Sequence, residues 1–231
     1  MEEKPKPQAN RTDGIDSGGM SLSRITSFSD GVFAVAITLL VLSIHVPLLK
    51  PAVADRELPR ELIRLMPIFE AYIVSFFVIG LFWIGHHSVF RHFKRHDGGL
   101  LWLNLLFLMF VVFIPFPTGL ISEYPDSRVA LIFYAVSLAI AGVMICLLLW
   151  YGVHNGRLVD GDVNPDFYRR FVFGYMDMAG IFLLSIPISF WNVHVARLFW
   201  FLIIPTNLFF DHWFAQWLDG RRKADGEGAV E

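Results

Sequence analysis

Cysteine and charge are both scarce in this chain, and each scarcity removes a class of protein. Its 231 residues include one cysteine, Cys146, set inside an apolar run, so no disulfide framework forms within one chain. Charged residues make up 17%, against about 25% in soluble globular domains, which excludes an ordinary water-soluble fold. A net charge of −2 offers no basic surface for nucleic acid. Neither a glycine-rich phosphate loop nor a nucleophile–base spacing is present, so no enzyme, no catalytic residue and no cofactor is expected. His86-His87 does not make a metal site, because adjacent helical residues point about 100° apart and the i, i+4 pattern of zinc-binding helices is missing. No helix repeats basic residues at every third position as a voltage sensor does.

What the chain has in quantity is apolar surface: 55% hydrophobic residues, with 23 Phe and 7 Trp. Several runs reach the roughly 18 apolar residues of a spanning helix. This predicts an all-α membrane protein with six transmembrane helices, over about 25–48, 66–90, 99–121, 128–152, 168–190 and 193–215. The first span does not read as a cleavable signal peptide, since a long tail of mixed charge precedes it and no small-residue cleavage site follows. Residues 1–23, rich in Pro, Gly, Ser and charge, read as a disordered tail. Residues 24–217 form the membrane domain and 218–231 a second tail. Lys and Arg divide thirteen to six between alternate sides, which predicts both termini in the cytoplasm. Trp102, Trp150, Tyr151, Trp191, Trp213 and Trp217 fall where interfacial aromatics belong. Pro115, Pro117, Pro187 and Pro205 are expected to kink their helices.

The first span carries polar residues that a lipid-facing helix has no use for. Val35, Thr38, Leu39 and Leu42 share one face at about 100° per residue, continued below by Phe28 and Gly31. Around an axis shared by several copies, this face becomes rings of branched aliphatics with one hydroxyl ring among them. Hydrophobic rings gate by excluding water, and a ring of oxygens replaces part of an ion's hydration shell. The competing reading is plain helix packing, with Thr38 bonding its own backbone; the residues alone leave both open. Asp30 points away from the stripe, and an acid at membrane depth needs protein partners. Arg24, His86 and His87 are the expected ones, with Ser29 as a cap. The buried-looking Phe28-Ser29-Asp30 therefore reads as a structural lock rather than an ion site. Asn104 in the third span reads as helix-to-helix glue. Asp177 is a second intramembrane acid, and a proton relay through it and Asp30, His86 or His87 is an alternative that spacing does not support.

Arg24-x-x-x-Phe28-Ser29-Asp30 followed by Gly-Val-Phe-Ala-Val-Ala-Ile-Thr-Leu-Leu-Val-Leu resembles the signature of the transmembrane protein 175 family. Animal members are endolysosomal potassium channels, with prokaryotic homologues. The resemblance extends to Phe82-Trp83-Ile-Gly-His86-His87-Ser-Val-Phe90, Leu101-Trp102-Leu-Asn104 and Pro115-Phe-Pro117-Thr118; later spans are similar only in length and hydropathy. It implies a six-helix repeat whose first helix lines a central pore, and a single repeat implies the prokaryotic homotetramer in the cell membrane. The pore positions it implies are Val35, Thr38, Leu39 and Leu42. A bulkier aliphatic is usual at the position of Val35. Arg24, Phe28, Ser29 and Asp30, with His86, His87 and Asn104, would form the motif behind the pore. No Thr-Val-Gly-Tyr-Gly filter is present, so modest selectivity for potassium over sodium is expected. Proton-permeable or proton-coupled transport, and a non-conducting scaffold, are the competing functions.

Overall fold

The computed structural model describes residues 21–156, 158–159, 163–203 and 206, and among the described residues every regular element is helical. Five stretches are long and apolar enough to cross a membrane: Leu22–Ser43, Met66–Phe90, Gly98–Glu123, Arg128–Val153 and Pro165–Ser189. Six spans were expected. The stretch expected as the sixth, 193–215, opens with α8 (Val193–Phe199) and a 3₁₀ turn at Trp200–Leu202, together shorter than a span. Pro205, Trp213 and Trp217 lie outside the described residues, as do residues 1–20 and the tail 218–231.

Local chemistry sets the boundaries. Helix α1 (Leu22–Leu39) starts where the Ser21 side chain accepts the Arg24 amide, then tightens into a 3₁₀ turn at Leu40–Ser43. It stops short of the expected residue 48 because Ile44 turns extended and Pro47 follows. A short charged helix, α2 (Ala54–Arg64), bridges to α3 (Met66–Phe90). Helix α4 (Gly98–Phe113) is capped by Asp97, whose carboxylate accepts the Leu100 amide at 2.8 Å. Pro115 has no N–H to continue the ladder, so α4 gives way to α5 (Pro115–Glu123) there, while Ile114 keeps helical dihedrals and the two form one span, Gly98–Glu123. Helix α6 (Arg128–Val153) starts at a Ser127 cap, and α7 (Pro165–Ser189) at an Asn164 cap with Pro165 in its first turn.

Helix α6 is the hub, packed on α3, α4, α5 and α7. Gly142 lets α7 approach, since a methyl group there would come within 3.3 Å of the Tyr175 carbonyl oxygen. The loops group at two ends. At one, the backbone N–H groups of Lys94 and Arg95 donate to the Leu158 carbonyl. At the other, Arg128 donates to the Ser189 carbonyl and lies 4.6 Å over the Phe190 ring, a cation at the negative end of α7. Helix α1 stands at the edge of the bundle against α3 and α4, with its 3₁₀ extension on α5.

Candidate functional site

One side of α1 is a seam. Ile25, Ser29, Phe33 and Ala36 are buried, continued by Leu40, and their spacing of four, four, three and four follows one helical stripe. The other side is open: Val35 is 52% exposed, Leu39 38% and Leu42 70%, with Thr38 exposed among them. A side chain added at Gly31 would meet nothing within 4 Å. The Thr38 hydroxyl donates to the Val35 carbonyl at 2.9 Å. Its proton is thereby committed to its own helix, while its oxygen lies on the open face as an acceptor. The backbone bond is the one named in the packing reading, and the exposure of the oxygen is what the pore reading requires.

Behind that face lies a buried polar chain. Ser29 donates to the Ile25 carbonyl at 2.9 Å, and Asn104 Nδ2 donates to Ser29 Oγ at 3.1 Å. Asn104 Oδ1 lies 2.8 Å from His86 Nε2; an amide oxygen only accepts, so the imidazole donates. All three side chains are buried, joining α1, α4 and α3. Aromatic rings enclose the imidazole, with Phe90 stacked at 4.3 Å and Phe33 edge-on at 5.6 Å.

Several expected partners are rearranged. Asp30 accepts from Trp83 Nε1 at 2.8 Å and is bound neither to Arg24 nor to a histidine. It sits about 100° around the helix from Ser29, so its exposed carboxylate reaches the flank of α3 while Ser29 alone enters the seam. The same rotation puts Phe28 on the open face at 57% exposure, not in the lock. Arg24 is exposed, and so is His87, whose ring lies 6.4 Å from Trp83. Asp177 is exposed on α7, a helix that packs chiefly on α6 and α8. The structure does not bring it together with Asp30 or His86.

Two polar clusters escape the sequence reading. Ser75 Oγ lies 2.8 Å from Thr118 Oγ1 and 2.9 Å from Tyr134 Oη, tying α3, α5 and α6 through buried hydroxyls. Buried Arg197 donates to Glu70 at 2.6 Å and also reaches the Pro125 carbonyl. Glu70, an acid inside the apolar run of α3, is the signal in the sequence for this pair.

The family model described as "Endosomal/lysosomal potassium channel TMEM175" matches residues 24–115, from the first turn of α1 to the first residue of α5. A protein of Streptomyces collinus named a potassium channel is 38% identical over 177 residues, covering 72% of this chain and 84% of its own. The chain belongs to the TMEM175 family. The crystal structure of a lysosomal potassium-selective channel TMEM175 homolog from Chamaesiphon minutus shares its fold, with a TM-score of 0.67 and 32% identity over 84% of this chain and 96% of that one. Human TMEM175, named an endosomal/lysosomal proton channel, is 25% identical over 173 residues, which are 73% of this chain and 34% of the human protein.

Proposed function

We propose that this TMEM175-family protein is a potassium-permeable channel that conducts passively and without a cofactor. Residues 24–217 form its channel domain, with six transmembrane helices and both termini in the cytoplasm, and four copies assemble in the cell membrane. The first helix of each copy lines the central pore. The observation that carries this reading is the open face of α1, where a hydroxyl oxygen stands among branched aliphatics directly opposite a buried seam. Four such faces around an axis stack rings of Val35, Leu39 and Leu42 with a ring of Thr38 oxygens. The aliphatic rings narrow the path and expel water, and the oxygens replace part of the shell of a partly dehydrated ion. The bond to Val35 fixes where those oxygens point. A single hydroxyl ring gives modest preference for potassium over sodium. The Ser29–Asn104–His86 chain holds α1 in register behind the pore, with Asp30 and Trp83 as a second tie.

Potassium and sodium flux through liposomes containing the purified protein tests this. Wild type passes potassium faster, and Thr38→Ala reduces that preference while the tetramer persists; equal preference in the two proteins removes Thr38 from the filter. A proton-permeable reading draws support from the name of the human relative. It requires a proton flux that disappears when Asp30, His86, His87 or Asp177 is neutralised.

A further inference from the structure

We propose that the pocket between the last turn of α6 and the first turns of α7 binds the anionic headgroup of a membrane phospholipid. The pocket is lined by Trp150, Val153 and His154 on one side and by Val163, Tyr168 and Arg169 on the other. Three properties of this lining point to a lipid.

The first is depth. Trp150 sits in the closing turn of one span and Tyr168 in the opening turn of the next, the level at which amphipathic rings meet headgroups. The second is charge. Arg169 is exposed, and the described lining residues contain no carboxylate. Asp166, three residues before Arg169 on α7, is not among the lining residues; Asp160 and Asp162 of the connector lie outside the described residues. The third is the mixed wall. A guanidinium alone suits any phosphate, but valines and an indole beside it suit a phosphate attached to glycerol and acyl chains. A free inorganic anion has no use for those apolar walls.

The pocket is also held in place. The Leu158 amide donates to the Gly152 carbonyl at 3.0 Å, and the Leu158 carbonyl takes the Lys94 amide at 2.8 Å. Leu158 and Val159 are buried, so the connector after α6 is pinned to the connector after α3. The Trp150 and His154 rings lie 4.9 Å apart, tilted by 31° and one turn from each other, and both line the pocket with Arg169. This lies at the end of the bundle that carries Arg91, Lys94 and Arg95, the end with the larger share of Lys and Arg.

Native mass spectrometry of the full chain in detergent tests the site, with phosphatidylglycerol and phosphatidylcholine added separately. A basic side chain near an anionic lipid surface contributes on the order of 1 kcal/mol, so Arg169→Ala should bind phosphatidylglycerol about fivefold more weakly. Phosphatidylcholine binding should not change, Arg169→Lys should recover most of the loss, and Arg56→Ala, the same charge change at the opposite end, should have no effect. Equal binding of the two lipids by wild type would overturn the proposal, as would unaltered phosphatidylglycerol binding by Arg169→Ala. Inorganic phosphate competing with the same dependence on Arg169 would show a free-anion site instead. The readout is lipid retention, so it stands or falls independently of ion conduction.

Discussion

Two faces of this bundle are equally open in the single chain and differ in chemistry. On α4 the exposed residues are Trp102, Leu105, Leu106, Met109, Val112 and Phe113, with nothing that hydrocarbon would refuse. On α1 the exposed face carries Thr38 and Gly31 among its aliphatics, flanked by Asp30. Equal exposure therefore does not mean the same surroundings. On the proposed reading, lipid covers the α4 face, whereas the α1 face turns its Thr38 oxygen to an ion path shared with other copies of the chain.

Substitutions can break that contrast or sharpen it. Asn104→Ala strikes the chain that fastens α1 to α3 and α4, leaving the His86 ring N–H buried without its acceptor, while Ser29 keeps its bond to the Ile25 carbonyl. At about 1–3 kcal/mol for the unsatisfied N–H, with the cavity left by the buried amide added, it should give the largest fall in melting temperature of the detergent-solubilised protein. Arg197→Ala comes next, because it strands the Glu70 carboxylate. Glu70 keeps 35% of its side-chain surface, so the loss falls between exposed-pair and buried-pair values, about 2–3 kcal/mol. A milder pair of changes compares the two faces directly. Leu39→Ser should raise potassium flux several-fold with little loss of stability. Met109→Ser should lower stability by on the order of 1 kcal/mol and leave flux unchanged. Asp30→Asn is the smallest, since an exposed carboxylate-to-indole bond is replaced by an amide-to-indole bond; it should cost below about 1 kcal/mol in a thermal melt.

Hydropathy made the spans legible because a membrane demands long apolar runs. Where a cap or proline coincided with the change in hydropathy, the boundaries were close: 66–90 was expected and Met66–Phe90 is found, 128–152 was expected and Arg128–Val153 is found. The open stripe of α1 was legible for a similar reason, since helical periodicity alone puts Val35, Thr38, Leu39 and Leu42 together. Partnerships were harder. Ser29 and Asp30 are adjacent in sequence, and which one enters the seam depends on how α1 is rotated against α3, which no local signal records. Trp83 was read as part of a motif rather than as a donor for Asp30. The Glu70–Arg197 pair joins residues 127 positions apart, and only the folded bundle brings them within reach.

The central claim is that the α1 face lines the ion path and the α4 face does not. The most direct measurement is modification of Leu42→Cys and, separately, Met109→Cys in liposomes by a charged, membrane-impermeant thiol reagent, with potassium flux as the readout. The native Cys146 is buried, which keeps the background low. A pore-lining α1 predicts that the reagent labels Leu42→Cys and blocks its flux while Met109→Cys is neither labelled nor inhibited. Labelling and block at Met109→Cys, with Leu42→Cys inert, would contradict it.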